Sequence, residues 1–426
     1  MKKLGAGPVL IAALAGLLFG FDTAVISGVT QAIKTVFSLQ DAGLGFAVSS
    51  ALWGTLIGAL LMGRLGDAIG GRDALKITAA MYLVSSFGCA VSHDFVQFCI
   101  SRFILGVAIG GSSVLAPVYI AEIATAKKRG FLVGLFQFNI VFGILVAYLS
   151  NFVVARVVEG EMAWRWKLAV PIAPALIFLV LLFAIPQSAR WLASKGRLEE
   201  ARDSLRRLGT GDSHASFLTS DVNTDAQRLS WTRHKKPITL VVLLALFNQL
   251  TGINAILYYL NDIFAAAGFG RLASETQSVA IGFTNLLATV IGMFLIDRVG
   301  RRTLLVMGAL GMAAALSCTV VIMATDRYQG LLLPCLIAFI FAFALSQGAV
   351  IWVYMSEIFP TPVRASGQSI GAATHWAANA VIATVFPVVA SHTRRCRLRC
   401  LPPVRSSRRS SSTSTSLKPR ASLLKT

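Results

Sequence analysis

Long apolar runs separated by short polar stretches fill most of the chain. They lie near 8-29, 45-66, 75-92, 97-118, 131-153, 168-185, 238-260, 277-296, 303-324, 331-355 and 367-390. A helix needs about 20 residues to cross a hydrocarbon core, and these runs, about eleven of them, come close to or exceed that length. Lipid offers peptide groups no hydrogen-bond partner, so each run is expected to be a helix. The pattern predicts an all-α membrane protein. The first run is long, contains Asp22 and lacks a small-residue cleavage site, so it reads as a retained span rather than a signal peptide.

Composition agrees with this reading and excludes a soluble domain. Of 426 residues, 55% are hydrophobic and 14% charged, with a mean hydropathy of +0.70. No soluble fold of this size buries that much apolar surface. The basic residues outside the runs divide unevenly between alternate loops. One set comprises the N-terminus, Arg64 to Lys76, Lys127 to Arg129, the 186-237 segment, Arg298 to Arg302, and Arg364, and it holds 22; the other holds six, namely Lys34, Arg156, Arg165, Lys167, Arg271 and Arg327. Positive loops stay inside, so the N-terminus is expected in the cytoplasm of a multi-pass cell-membrane protein. The net charge of +20 then reflects topology and lipid contact, not nucleic-acid binding. Most of these charges read as solvated anchors at helix ends. Six scattered cysteines predict no disulfide framework.

The segment 186-237 is the one long polar interruption before the tail. The chain therefore divides into 1-185, a six-helix bundle; 186-237, a cytoplasmic linker; 238-391, a second bundle of about five helices; and 392-426, a basic, Ser-rich tail expected to be disordered. The two bundles repeat. Asp67-Ala-Ile-Gly70 with Arg72 recurs as Asp297-Arg-Val-Gly300 with Arg301, and Tyr119-Ile-Ala-Glu122 with Arg129 recurs as Tyr354-Met-Ser-Glu357 with Arg364. The copies lie 230 and 235 residues apart, which points to tandem halves of parallel topology. A basic tail after an eleventh span would sit outside, against the charge rule, and so reads as a truncated or frameshifted ending, with a functional polybasic tail that binds anionic lipid as the alternative.

These motifs, with Gly63-Arg-Leu-Gly-Asp67, Pro186-Gln-Ser-Ala-Arg-Trp-Leu192, Asn248-Gln-Leu-Thr-Gly-Ile-Asn254, Tyr258-Tyr259 and Ser356-Glu-Ile-Phe-Pro360, resemble the sugar porter family of the major facilitator superfamily. The likeness runs in order from about Ala15 to Pro387. It implies a major facilitator fold of twelve helices in two six-helix bundles, the second here incomplete, with a central sugar site and alternating access. The chain departs from the family pattern at Gln187, Ala189 and Asn248-Gln249, and lacks the twelfth helix with its following signature.

Asp22 stands within an apolar run, where an ionised carboxylate costs several kcal/mol and needs a partner or a proton. Arg102, in the fourth run, is the only basic residue placed inside the apolar region of the first bundle, Arg64 and Lys76 standing at run ends. Burial disfavours a carboxylate and a nearby guanidinium favours it, so a change in their separation changes the hold on a proton. An acid and an arginine at these positions resemble the proton-coupled symporters of the family; a pair that only docks two helices is the structural alternative. A sugar site needs amide hydrogen-bonders and aromatic platforms walled by helices. The resemblance places Phe19, Gln137, Asn248, Gln249, Asn254, Tyr258, Asn285, Trp352, His375 and Trp376 there, with His375 replacing the usual Gln or Asn. It places Asp67, Arg72, Glu122, Arg129, Arg190, Asp297, Arg301, Glu357 and Arg364 in a cytoplasmic charge network that clamps the bundles together.

The expected partners are a monosaccharide, a proton and membrane lipid. No cofactor or metal is expected, because five scattered histidines form no ligand cluster. No nucleophile with a base motif or phosphate loop suggests an enzyme or a self-powered pump, and Gly106 to Gly111 reads as close helix packing. The alternatives are a facilitative sugar or polyol (inositol) carrier and a non-transporting sugar receptor.

Overall fold

The computed structural model describes residues 6–124, 129–160, 162–208, 229–325, 327–359 and 363–400. Among them, eleven helices are long and apolar enough to cross a membrane, and no strand occurs. In order the spans are Gly7–Gly28, Asp41–Ile69, Gly71–Val91, Phe95–Ile123, Phe131–Val157, Ala163–Leu182, Lys235–Tyr258, Arg271–Ile296, Arg301–Thr325, Gln329–Trp352 and Ser366–His392. Internal contacts divide the chain into Met1–Val388 and Val389–Thr426, and the site described below lies in the first unit. The last helix runs Arg364–Cys400, past the His392 boundary at which a polar tail was expected, and 401–426 lie outside the described residues.

Three spans that read as continuous apolar runs are interrupted. The sixth breaks into Ala163–Ala169 and Ile172–Leu182 around Pro171, which has no N–H to give the helix. In the seventh, Lys235–Leu250 stops and Ile253–Tyr258 restarts after Gly252, whose φ of 80° is the left-handed region that glycine enters freely. The tenth contains a π-helical turn at Ala344–Gly348, a distortion that re-aims neighbouring side chains.

Small residues set the closest crossings. A β-carbon at Gly106 would meet the Ala51 carbonyl, and one at Gly110 the Thr55 carbonyl, so the fourth span lies backbone-close to the second. A β-carbon at Gly20 would meet the Ile140 carbonyl, and one at Gly143 the Leu17 carbonyl, which joins the first span to the fifth in the same way. Without a hydrophobic force between helices in lipid, such close contact is what holds them. The tandem motif is also a backbone repeat: Gly70 ends the second span at φ 90°, ψ 151°, and Gly300 ends the long helix of the eighth at φ 89°, ψ 149°.

The helical array has two ends. The linker face carries the connection between the sixth and seventh spans, and the far face carries the end of the first span and the starts of the sixth and eighth.

Candidate functional site

The site is built around one buried ion pair. Asp22 lies one turn before the end of the helix Ala6–Val25, and Arg102 lies two turns into Phe95–Ile123. The start of that second helix is fixed by Asp94, whose carboxylate accepts from Gln97 N at 2.8 Å. Arg102 Nη1 donates to Asp22 Oδ1, and both residues are buried. Arg102 Nε is buried with no acceptor among the described residues. Among the described residues, one hydrogen bond joins the guanidinium to the carboxylate.

The pair borders a small cavity. Phe19 and Thr23 from the first span, Thr55 from the second, Tyr258 from the seventh and Trp376 from the eleventh share its wall. Aromatic faces beside a few polar groups are the kind of lining that suits a small polar ligand. Phe19 and Trp376 meet with ring centroids 5.6 Å apart.

The seventh, tenth and eleventh spans contribute a linked set of polar groups. Gln249 Nε2 lies 2.8 Å from His375 Nε2, and Gln249 Oε1 accepts from Asn254 Nδ2 at 3.0 Å. The amide of Gln249 can donate only to an unprotonated ring nitrogen, so this arrangement uses a neutral imidazole. The His375 ring lies between Trp352, at 5.0 Å, and Trp376, at 5.2 Å. Trp352 is 37% exposed, whereas Gln249, His375 and Trp376 are buried. Asn248 Nδ2 donates to Gln347 Oε1 at 3.1 Å, and Gln347 belongs to the π-helical turn of the tenth span.

Gln137 and Asn285 lie along a different seam. A β-carbon at Gly134 would meet Met293, and one at Gly282 would meet Tyr148 and Leu145, so the fifth span packs on the eighth along the stretch that carries both amides. Asn285 is buried and Gln137 half-buried. Neither amide has a hydrogen-bond partner among the described residues.

Residues absent from the sequence-based set complete this picture. Asn379, buried and one helical turn beyond His375, donates from Nδ2 to the Tyr258 hydroxyl at 3.0 Å. Its spacing of four from His375, which puts the two on one helix face, is the faint trace it leaves in the sequence. On the far face, Lys167 pairs with Glu275, and the two side chains are 1% and 2% exposed. Lys167 Nζ also donates to the Gly28 carbonyl at 2.8 Å. The expectation that Lys167 is a solvated loop anchor is therefore corrected: the side chain is buried because the sixth and eighth spans converge there. Gln31 Nε2 donates to Asp262 Oδ1 nearby, and the Tyr148 hydroxyl donates to the Leu257 carbonyl at 3.0 Å. These contacts join the first six spans to the last five across the far face.

Of the residues expected in a cytoplasmic charge network, Asp67, Arg72, Glu122 and Arg190 lie at the linker face. Arg72 donates to Asp73 from Nε at 2.9 Å and from Nη2 at 3.1 Å, and its backbone N–H donates to Gln187 Oε1 at 3.0 Å. Gln187 Nε2 reaches Asp73 Oδ2 at 3.2 Å, so this amide ties the linker motif to the third span. Trp191 Nε1 donates to the Asp67 carbonyl at 3.0 Å. Glu122 interacts with Ser188 and Arg190. These bonds run between the first six spans and the start of the linker. Arg301 opens the ninth span. The side chains of Arg129, Asp297, Glu357 and Arg364 lie outside the described residues.

Comparison with known proteins agrees with this geometry. Residues 9–396 match the family model described as sugar (and other) transporter. The chain is 36% identical over 416 residues to the D-xylose-proton symporter of Escherichia coli K12, an alignment spanning 89% of this chain and 84% of that protein. It is 36% identical over 393 residues to the galactose-proton symporter of the same organism, covering 88% and 83%. A partially occluded inward-open structure of the E. coli xylose transporter superposes with a TM-score of 0.79 at 34% identity, covering 90% of this chain and 92% of that one.

Proposed function

The chain belongs to the sugar transporter family, has a major facilitator fold and is a membrane transporter rather than an enzyme, and from that premise we propose that it moves a monosaccharide across the cell membrane in symport with protons. One observation carries the reading: the Asp22–Arg102 pair lines the same cavity as Phe19, Tyr258 and Trp376. A titratable group that shares a wall with the solute cavity is placed to make solute binding and protonation depend on each other, which is what symport requires.

In this reading the linker face and the N-terminus are cytoplasmic and the chain is two bundles of parallel topology, 1-185 and 238-391, joined by 186-237. Gln249, Asn254, His375 and Asn248 hydrogen-bond the sugar hydroxyls, while Trp352, Trp376 and Phe19 pack against its less polar faces. Gln137 and Asn285 reach it from the fifth and eighth spans. When the pair separates, Asp22 takes a proton, and the bundles rock between states closed at the far face and at the linker face. The charges Asp67, Arg72, Glu122, Arg129, Arg190, Asp297, Arg301, Glu357 and Arg364 bias that two-state equilibrium at the cytoplasmic side.

The test is uptake of radiolabelled D-xylose, D-galactose, D-glucose, L-arabinose and inositol into proteoliposomes under an inward proton gradient. Accumulation of one of these solutes by the wild type, lost in Asp22→Asn, is expected. Equilibration that ignores the gradient would mark a facilitative carrier, and binding without uptake a receptor.

A further inference from the structure

Tyr258 sits on a helical piece with a break at each end. Ile253–Tyr258 is preceded by Gly252 at φ 80° and followed by Tyr259 at φ −114°, ψ 23°, so the rest of the seventh span does not fix its orientation. Three side-chain bonds tie it to the fifth and eleventh spans, and one of them engages the Tyr258 side chain itself. Tyr148 of the fifth span donates to the Leu257 carbonyl; Tyr259 donates from its hydroxyl to the Ala383 carbonyl at 2.9 Å; and Asn379 donates to the Tyr258 hydroxyl at 3.0 Å. Asn379 and Ala383 lie one turn apart on the eleventh span, so adjacent tyrosines are tied to one face of that helix. Of the two hydroxyls, that of Tyr258 belongs to a residue on the wall shared with Asp22 and Arg102.

We propose that Asn379 is a positioning residue for proton coupling: by donating to the Tyr258 hydroxyl it holds that group beside the Asp22–Arg102 cavity and links the state of the pair to the helix that carries His375 and Trp376. The proposal rests on the proton-coupled reading above. With its oxygen occupied by the Asn379 amide, the Tyr258 hydroxyl keeps its own hydrogen for a partner in the cavity. Asn379 Oδ1 is buried and has no donor among the described residues, so the amide is not held there by a complete local network. Separation of Arg102 from Asp22 changes what the Tyr258 hydroxyl can bond to, and the Asn379 bond passes that change to the eleventh span.

The experiment reconstitutes the full chain and compares Asn379→Leu, Asn379→Ala and Tyr259→Phe with wild type, using radiolabelled D-xylose and D-glucose. Each is assayed for sugar-for-sugar exchange without a gradient and for accumulation under an inward proton gradient. Both Asn379 variants are expected to retain exchange and lose accumulation by about tenfold or more, the scale of energetic coupling between sites. Tyr259→Phe, which cuts the neighbouring tie between the same two helices, is expected to keep both. Accumulation at wild-type level in the Asn379 variants would overturn the proposal. So would loss of exchange together with accumulation, which would assign Asn379 to the sugar path or to folding, and so would equal uncoupling in Tyr259→Phe. A wild type that exchanges but never accumulates would instead overturn the proton-coupled reading itself.

Discussion

Glu275→Gln isolates the energetics of the far face. Lys167 and Glu275 are both almost wholly buried, and the ammonium is otherwise held by the Gly28 carbonyl. Removing one partner of a buried pair costs about 3–5 kcal/mol, because the other charge stays buried. Loss of the lysine proton sets a ceiling: neutralising an ordinary lysine, of pKa about 10.4, at pH 7 costs about 4.6 kcal/mol. If opening of the far face hydrates Lys167, the variant shifts the closed-to-open equilibrium by roughly two to three powers of ten, at about 1.4 kcal/mol per factor of ten. Spin labels at Val36 and Leu272, exposed far-face positions on the first and eighth-span sides, report that separation in a background with the native cysteines replaced. Glu275→Gln is expected to add a longer distance to the distribution. Lys167→Gln combined with Glu275→Gln removes both charges and is expected to return toward the wild-type distance. An unchanged distribution in the single variant, or the same shift in single and double variants, would refute the reasoning.

Other consequences follow from individual contacts. Gly106→Val forces a side chain against the Ala51 backbone, where no rotamer can yield, and is expected to abolish recovery of folded protein in size-exclusion chromatography. Gln187→Ala removes the amide that bridges the half-buried Arg72 N–H and Asp73, while Asp73 keeps Arg72 and Lys76; a loss of about 1 kcal/mol, read as a lower thermal midpoint, is expected while sugar exchange persists. His375→Leu removes the acceptor of the Gln249 amide and is expected to raise the KM for sugar by about tenfold, the effect of about 1.4 kcal/mol, with little change in the folded yield.

The spans were legible because apolar length alone forces helices in lipid, and the helices found follow the runs to within a few residues. The second span, expected over 45-66, extends to Asp41–Ile69 because polar residues at both ends continue the helix beyond the hydrocarbon-length core. The break at Gly252 was not legible as a break: Thr251 and Gly252 are two weak signals inside a run that otherwise satisfies a spanning helix. Asp22 and Arg102 drew notice because a charge in an apolar run is conspicuous wherever its partner lies. Lys167 and Glu275 did not, since each stands near a span end, where charges are ordinary, and their burial exists only once the sixth and eighth spans meet. Asn379 was hidden for another reason: an amide in a membrane helix has several innocent explanations, and only the approach of Tyr258 from the seventh span selects one.

The most direct test of proton-coupled sugar transport is to follow the proton itself. A lightly buffered, de-energised proteoliposome suspension receives the transported sugar outside while the external pH is recorded. The wild type is expected to alkalinise the medium as sugar and protons enter together, and Asp22→Asn to transport sugar by exchange with no pH change. Sugar entry in the wild type without alkalinisation, or alkalinisation of equal size in Asp22→Asn, would contradict the account.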